Sequence, residues 1–502
     1  MSTPAPQRKV AVIGSGIAGL AGAIRLAAQG LAVDVFEAEH TVGGKISEQH
    51  VDGFRFDRGP SVLTMPQYID DLFRLAGEDP AAHIRYERLD PVFHYFFADG
   101  SRFQSHADRE RFITALSELT VTRPEELRTF FHRAARKLEL TDPVFLQRSL
   151  HRLRNYTDRA TFRGLFHLGA LQAFTTMDRA NRRLLRDPRT VALFNQYASY
   201  NGSDPFQAPA TLNLIAHYEL GLGAYYPVGG MYRIAAELHG LAERLGVRFH
   251  LGTPVERILT ERRRVTGIRV GGADLPYTAV LANADVHHVF RILLPDVKGP
   301  RLVLDRPRSS SVVVFFWGME GTSPELGLHN LFLSGDQRDE YEHLFRAKNI
   351  GADPSVYVYI SSKKNPADAP PGMENWFVMI SVPPLSERTD SEADMDKLRA
   401  RAREAAITKL SRLLGRDVSA AIRVERTMDP RTIAQRTRSA FGSVYGYSSN
   451  GMLSAFLRHA NFSRRVKGLY LSGGSVHPGP SIPLSLLSAK IASGMVVEAV
   501  GK

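Results

Sequence analysis

A glycine-rich turn near the start of the chain constrains the fold more than any other feature. Gly14, Gly16 and Gly19 follow a short apolar run, Lys9–Ile13, and open an Ala- and Leu-rich stretch with helical spacing, Ile17–Gln29. An apolar run of this length predicts a buried parallel strand, and a G-x-G-x-x-G turn between a strand and a helix is typical of a dinucleotide-binding unit. The sequence therefore predicts an α/β fold that begins with a strand, a tight turn and a helix.

The second strand of this unit ends in an acidic residue. The run Leu31–Glu37 alternates in polarity and closes on Glu37. In the turn, Gly14 permits the tight bend, Gly16 lets the backbone approach a pyrophosphate, and Gly19 lets the helix pack closely on the strand. Glu37 would accept hydrogen bonds from the ribose hydroxyls of an adenosine. It would also repel a ribose phosphate, which argues against NADP at this site.

Further motifs favour FAD over NAD as the cofactor. Gly43, Gly44 and Lys45 follow soon after Glu37, and this turn would bring the backbone and one cation to the pyrophosphate. A second glycine motif directly after the ribose acid is typical of flavoproteins with a two-dinucleotide-binding domain. We therefore predict FAD. Four further cofactor-binding candidates lie in motifs later in the chain: Gly59, Pro60, Val255 and Asn283.

The carboxy-terminal segment 468–483 runs from an apolar strand through a glycine turn to a helix. Its motif, together with those at the amino terminus, resembles the bacterial phytoene desaturase family of carotenoid desaturases, which are amine-oxidase-like flavoproteins. The resemblance covers nearly the full length, and it implies that Gly473, Gly474 and Pro483 lie near the isoalloxazine of FAD. One departure is Pro480-Ser481, where family members usually have glycine or threonine-glycine. This difference would alter the shape of the substrate end of the site.

The alternation of elements predicts a discontinuous arrangement. We expect a Rossmann-like FAD-binding domain of the two-dinucleotide-binding type formed by residues 8–90, 222–298 and 426–502. Residues 91–221 would form a helical insertion that contributes to the substrate site and faces a membrane. Residues 299–425 would form a substrate domain with a β-sheet and helices.

The resemblance implies an oxidoreductase that introduces C=C bonds into an acyclic carotenoid by hydride transfer to the flavin, as part of carotenoid biosynthesis. Within this family, the residues of the carboxy-terminal motif, 473–479, more closely resemble the terminal 3,4-desaturases of hydroxylated carotenoids. Phytoene desaturase, diapocarotenoid desaturase or oxidase, carotene isomerase and flavin amine oxidase stay open as alternatives, as does a carrier that holds flavin only structurally. The electron acceptor would be oxygen or a membrane quinone. The sequence determines neither the carotenoid, the bond and the number of steps nor the oligomeric state.

The family chemistry requires no catalytic triad or paired carboxylates, because the cofactor performs the difficult step. Three residues are candidates for proton transfer. They are His477, which lies in the carboxy-terminal flavin motif, and the pair His217 and Glu219. His287-His288 resembles half of a metal site, but no further ligand stands at suitable spacing, so we predict no metal. Aromatic residues of the insertions would line a substrate tunnel: Tyr197, Tyr200, Phe206, Tyr218, Phe315, Phe316 and Trp317.

The charge of the chain points to a membrane surface. The formal net charge is +12. The sequence contains no cysteine, and this absence excludes disulfides and thiolate chemistry. Between His132 and Arg189 there are 13 Arg and Lys against 5 Asp and Glu, beside apolar residues that include Leu165, Phe166 and Phe174. Because no nucleic-acid recognition motif accompanies this charge, we expect attraction to anionic lipid headgroups and no nucleic-acid partner. With no signal peptide evident, the predicted location is the cytoplasm, at the inner face of the cell membrane.

Overall fold

A parallel sheet of five strands forms the core of the nucleotide-binding part. The computed structural model describes residues 8–152, 155, 168–386, 391–452, 454 and 457–500. The strand order is Arg248–His250, Ala32–Phe36, Lys9–Ile13, Ala279–Ala282 and Leu469–Leu471, and every neighbouring pair is parallel. The amino-terminal, middle and carboxy-terminal parts of the chain therefore meet in one sheet. The predicted α/β, Rossmann-like fold is confirmed.

Three helices cover this sheet. Ile17–Ala27 packs against Ile482–Val500 and against Tyr232–Arg244, and their apolar side chains share one buried cluster with the sheet. Among the described residues, Ile482–Val500 is the one helix whose length and composition would also suit a membrane span. Two-thirds of its apolar window is buried inside the protein. We therefore interpret it as a core helix of the nucleotide-binding part.

A second, seven-stranded sheet lies beside the first. Its order is Ile422–Met428, Ser311–Glu320, Met373–Val382, Val356–Tyr359, His329–Phe332, Phe93–Phe96 and Arg102–Ser105. Ser311–Glu320 and Met373–Val382, the two longest strands, pair antiparallel over ten residues each. The helix Glu392–Leu414 packs on one face, where Ala402, Ala406 and Leu410 are buried. The hairpin 93–105 comes from the segment predicted as a helical insertion, so this sheet draws on both insertions.

Helices dominate the rest of that insertion. They are Arg109–Leu119, Pro124–Thr141, Leu168–Leu171, Met177–Leu184, Pro188–Asn195 and Leu214–Leu220. Two of these helices, Met177–Leu184 and Pro188–Asn195, are separated just before Pro188. Asp187 caps the second helix by accepting a hydrogen bond from the backbone N–H of Arg189. Proline has no N–H to continue a helix and favours such a first turn.

The basic and apolar stretch predicted to face a membrane is only partly described. Leu165 and Phe166 lie outside the described residues. Leu171 is buried, whereas Phe174 is 72% exposed. The apolar side chains of Leu171 and Phe174, three residues apart in this stretch, therefore face in different directions.

Smaller elements complete the structure. A hairpin pairs Ser47–Val51 with Phe54–Arg58. Two three-stranded sheets have the orders Leu63–Thr64, Ala224–Pro227, Tyr86–Arg88 and Val255–Glu261, Arg264–Val270, Ala273–Pro276. The remaining α-helices are Gln67–Leu75, Val286–His288, Arg301–Leu304, Gln337–Glu342 and Pro430–Thr437.

Candidate active site

One continuous cavity of about 740 Å³ runs from the glycine turns of the parallel sheet to the face of the seven-stranded sheet. All the residues predicted to bind the cofactor line it except Gly19. Gly19 lies behind the wall, where an added Cβ would meet the carbonyl oxygen of Gly14 at 2.0 Å. This close approach of helix and turn is the packing role predicted for Gly19.

The first glycine turn leaves room for a ligand against the backbone. Gly14 has a φ of +90°, and its N–H donates to the carbonyl oxygen of Phe36 at 2.8 Å. Gly16 is the N-cap of Ile17–Ala27 without a side-chain cap, and an added Cβ there would lie 2.7 Å from Oδ1 of Asn283. The amino terminus of this helix therefore presents backbone N–H groups and partial positive charge to the cavity.

The carboxylate of Glu37 is fixed beside that turn. Its Oε2 accepts hydrogen bonds from the backbone N–H of Ser15 at 2.7 Å and from the Ser15 hydroxyl at 2.8 Å. Its Oε1 accepts from the backbone N–H of Glu39 at 3.0 Å. A carboxylate can accept about four hydrogen bonds, so capacity is left for a ribose hydroxyl.

The second glycine turn packs on the first. Gly43 and Gly44 have φ values of +104° and +59°, and the N–H of Gly43 donates to the carbonyl oxygen of Ser15 at 2.9 Å. A Cβ on Gly43 would lie 2.1 Å from the carbonyl oxygen of Ile46, and one on Gly44 would lie 3.1 Å from the Cα of Gly16. Only glycine fits this arrangement, in which two turns form one cradle.

Lys45 follows this cradle and reaches toward the carboxy-terminal part of the chain. Its Nζ donates to the carbonyl oxygen of Val444 at 2.6 Å. Burial lowers the pKa of Lys45 to about 8, and the more distant charge of Asp285 opposes that shift. Lys45 lines the cavity, as predicted for a pyrophosphate ligand, but its ammonium group contacts a backbone carbonyl in this structure.

Two arginines that sequence reasoning missed line the cavity near these turns. Burial and the charge of Arg436 lower the pKa of Arg58 to about 10, and burial also lowers the pKa of Arg436. The Nε of Arg58 is buried without a hydrogen-bond partner. Two like-charged neighbours beside a glycine cradle complement a dianionic pyrophosphate. Arg58 directly precedes Gly59-Pro60, a signal in the sequence, whereas no local motif marks Arg436.

The carboxy-terminal glycine turn meets the others through Asn283. Gly473 has a φ of +109°, and an added Cβ would lie 2.6 Å from Nδ2 of Asn283. The helix Ile482–Val500 begins here, and its first turn, including Pro483, lines the cavity. The Ser481 hydroxyl accepts a hydrogen bond from the N–H of Leu484 at 3.2 Å. The departure at Pro480-Ser481 thus places a helix cap in the cavity wall.

A buried guanidinium supports this turn. Arg458 is 3% exposed and donates to the carbonyl oxygens of Gly474 at 3.1 Å and Tyr447 at 3.2 Å. Burial, and to a lesser degree the charge of Arg306, lowers the pKa of Arg458 to about 10. The group is held by carbonyl oxygens and lines the cavity, so it brings positive charge to the region predicted to hold the flavin ring.

The three predicted proton-transfer candidates do not come together. His477 lies outside the cavity wall, where its Nε2 is 2.8 Å from the carbonyl oxygen of Arg148, and burial lowers its pKa to about 4. His217 also lies outside that wall, and Gly221 packs on its ring. Glu219 lines the cavity. Because His217 and Glu219 stand two residues apart on one helix, they point to different sides and form no acid–base pair.

The Glu219 carboxyl has tyrosine partners instead. Its Oε1 accepts from the hydroxyl of Tyr197 at 2.7 Å, and its Oε2 accepts from the hydroxyl of Tyr200. Burial raises the pKa of Glu219 to about 7, although both tyrosine hydrogen bonds oppose that shift. Tyr218 lines the cavity too.

The remaining predicted tunnel residues lie elsewhere, which corrects that expectation. Phe206, Phe315, Phe316 and Trp317 do not reach the cavity. Phe315 and Trp317 are buried with the helix Glu392–Leu414 on the opposite face of the seven-stranded sheet. Among the described residues, no group of three or more histidine, aspartate or glutamate side chains is placed to hold a metal ion.

The cavity has the features that FAD requires. It offers a cradle of two glycine turns with no room for an added Cβ, a carboxylate beside the first turn that suits a ribose, and cations beside the turns. Beyond the carboxy-terminal turn, its wall becomes apolar and includes Val312, Val314 and Phe377. The polar end of the cavity suits a dinucleotide, and the apolar end suits a hydrophobic substrate that lies next to it.

Comparisons with known proteins agree on family and fold. The model of the family described as flavin containing amine oxidoreductase matches residues 17–497. The 1-hydroxycarotenoid 3,4-desaturase of Flavobacterium sp. (strain P99-3) is 40% identical over 489 residues, which cover 97% of this chain and 99% of that protein. The hydroxyneurosporene desaturase of Rubrivivax gelatinosus is 31% identical over 98% of this chain and 94% of its own. Cyclohexylamine oxidase from Brevibacterium oxydans, at 16% identity, covers 99% of this chain and 100% of its own with a TM-score of 0.62, which shows the same fold.

Proposed function

The chain belongs to the flavin-containing amine oxidoreductase family, and on that premise we propose that it is an FAD-dependent carotenoid desaturase. Its substrate would be an acyclic carotenoid with a hydroxyl group at C1, and its product would carry a new 3,4 double bond. The observation that carries the proposal is the continuous cavity, which joins the cofactor cradles to an apolar pocket. The full-length similarity to a 1-hydroxycarotenoid 3,4-desaturase supports the choice of substrate.

When bound, FAD supplies the hydride acceptor for the oxidation of a C–H bond. The protein's own residues position the two partners. Val312, Val314 and Phe377 form an apolar wall that would hold a polyene and exclude water. The amino terminus of Ile482–Val500 and the guanidinium of Arg458 place positive charge at the carboxy-terminal glycine turn. These groups would stabilise negative charge that develops there.

The first experiment is expression in two carotenoid backgrounds. One strain makes phytoene, and the other makes 1-hydroxylated derivatives of lycopene. We expect a product two hydrogens lighter, with absorbance at longer wavelength, only in the hydroxylated background. A shift only in the phytoene strain would assign the chain to phytoene desaturases instead. Unchanged carotenoids in both strains, with flavin bound to the protein, would refute the desaturase proposal.

We also propose that the protein binds anionic membranes peripherally at the inner face of the cell membrane, and passes electrons to oxygen or a quinone. The charge excess between His132 and Arg189 and the exposed Phe174 support this location. Sedimentation with vesicles provides the test. We expect binding to vesicles that contain anionic phosphatidylglycerol, falling as salt is raised, and little binding to neutral vesicles. Equal binding to both would contradict an electrostatic attraction.

A further inference from the structure

A buried polar cluster lies in the otherwise apolar part of the cavity. Glu219 is 1% exposed and stands at the end of the helix Leu214–Leu220. Its two carboxyl oxygens accept hydrogen bonds from Tyr197 and Tyr200, and the hydroxyl of Tyr95 interacts with that of Tyr197. All four side chains line the cavity. We call this set the Glu219 cluster.

The hydrogen-bonding capacity of the cluster exceeds what its members use among themselves. Burial shifts the pKa of Glu219 upward to about 7, so near neutral pH a large share of molecules hold a protonated, neutral carboxyl. A carboxylic acid offers one O–H donor, and each tyrosine hydroxyl that donates to it retains lone pairs that can accept. The cluster therefore presents a donor and acceptors to one neutral partner in a dry environment. An alcohol has the same combination of donor and acceptor.

The cluster lies on the same wall as a loop that was predicted to bind the cofactor. Tyr95 of the cluster and Tyr357 stand in register in the seven-stranded sheet, each paired with Leu331 on the strand between them, and both line the cavity. The hydroxyl of Tyr357 lies 2.6 Å from the Ser61 hydroxyl, and Ser61 directly follows Gly59-Pro60. A hydroxyl group bound at the cluster would thus lie near the cofactor end of the apolar pocket.

We propose that the Glu219 cluster is the subsite that binds the 1-hydroxyl group of the carotenoid. This inference rests on the proposed function. An apolar channel alone gives a repetitive polyene no defined position along its length. A hydroxyl group at C1 lies only two carbon–carbon bonds from C3, so its capture fixes the 3,4 bond at the cofactor. A carotenoid without the hydroxyl would leave buried polar groups unpaired, and sites of this kind reject such analogues strongly.

Equilibrium binding to the protein loaded with reduced FAD tests the subsite without turnover, because reduced flavin accepts no further hydride. Two acyclic carotenoids of equal length, with and without a 1-hydroxyl group, are titrated in detergent under anaerobic conditions, and binding is followed by the shift of the polyene absorbance. The variants are Glu219→Met, which removes hydrogen bonding at similar volume, and Glu219→Gln, which keeps it. Glu374→Gln is the matched control, because Glu374 is a buried carboxyl that does not line the cavity and that accepts hydrogen bonds from the Ser323 N–H and the Trp376 ring.

We expect the wild type and Glu374→Gln to bind the hydroxylated carotenoid about 10- to 100-fold more tightly than its analogue. Glu219→Met should lose this preference by weakening only the hydroxylated ligand, and Glu219→Gln should keep most of it. Tyr200→Phe removes one hydroxyl without a cavity and should lower the preference severalfold even if Glu219→Met fails to fold. A preference that is unchanged in Glu219→Met or Tyr200→Phe would overturn the proposal.

The two proposals fail in different ways. A wild-type protein that desaturates the hydroxylated carotenoid but binds both carotenoids equally would refute the subsite and leave the desaturase intact. A protein that prefers the hydroxylated ligand yet never oxidises it would refute the desaturase and support the subsite.

Discussion

The side-chain amide of Asn283 donates a hydrogen bond to the carbonyl oxygen of Ser472 over 3.2 Å. On its other side, Oδ1 of Asn283 lies 2.7 Å from the position that a Cβ on Gly16 would take. One side chain from the middle of the sequence therefore contacts the glycine turns of both ends. The geometry of the predicted FAD site depends on three distant segments at once.

Replacing Gly16 with valine should abolish most flavin binding. The new side chain would collide with Asn283 and cover the backbone that approaches the pyrophosphate, so we expect FAD affinity to fall at least about tenfold. The ratio of flavin to protein absorbance after purification measures the effect. Gly494→Ala is the control, because nothing lies within 4 Å of a Cβ at that helical position, and it should retain flavin. Full flavin content in the valine variant would contradict the assigned role.

Replacing Glu37 with lysine should weaken FAD binding for a different reason. The substitution removes the acceptor of hydrogen bonds from Ser15 and Glu39 and places a cation among donors. We expect a loss of roughly 2–4 kcal/mol in the free energy of FAD binding, measured by titration of the flavin-free protein. Glu118→Lys makes the same charge change at an exposed site and should bind FAD normally. Equal affinities for the two variants would exclude a ribose-binding carboxylate.

Replacing Arg58, the neighbour of Arg436, should stabilise the flavin-free protein and weaken its binding of FAD. Arg58→Met relieves repulsion from Arg436 in the flavin-free protein, so its free energy of unfolding should rise by about 1 kcal/mol. FAD affinity should fall by roughly 1–3 kcal/mol, because a charged hydrogen bond to the pyrophosphate is lost. Urea unfolding and FAD titration measure the two quantities. Arg269→Met at an exposed ion pair should change neither by more than about 0.5 kcal/mol. A variant that loses stability and keeps its FAD affinity would rule out this role.

The buried carboxyl of Glu219 predicts a pH dependence of stability. Its folded-state pKa of about 7 lies above the ordinary value of 4.5 for a glutamate, so the native state binds more protons between these two pH values. The free energy of unfolding should therefore fall as pH rises from about 4.5 to 7, and the full penalty, roughly 3 kcal/mol, applies above that window. Glu219→Gln removes this contribution. In urea unfolding of the flavin-free proteins, the stability of this variant relative to wild type should increase over that window and then level off. A constant difference from pH 5 to 8 would show that Glu219 ionises normally.

Local patterns were enough to predict the nucleotide-binding half. The turn from Gly14 to Gly19 and its flanking elements follow from spacing and composition alone, because strand, turn and helix are contiguous in sequence. Contacts between distant segments were not visible. Nothing near Arg436 in the sequence indicates that it lies beside Arg58.

The spacing of residues in the sequence also leaves open which face of a strand lines the cavity. In Ser311–Glu320, Val312 and Val314 line the cavity, whereas Phe315 and Trp317 point to the opposite face. Alternation predicts that neighbouring side chains face opposite ways, but either set could face the cavity. The helix Glu392–Leu414 decides the matter by covering the face with the larger aromatic residues. Prediction of the tunnel from aromatic content alone therefore selected Phe315 and Trp317 wrongly, whereas the predicted Tyr197, Tyr200 and Tyr218 do line the cavity.

The placement of Leu469–Leu471 at the edge of the five-stranded sheet has a consequence for biosynthesis. Its neighbour Ala279–Ala282 is translated nearly two hundred residues earlier, and until the last strand emerges from the ribosome that neighbour has an unpaired edge. The intervening chain can complete its seven-stranded sheet first, because Ile422–Met428 precedes the final strand. Assembly of the coenzyme site thus waits until residues 469–500 have been translated, and a message truncated before codon 469 would yield a polypeptide with an open sheet edge and without the helix Ile482–Val500.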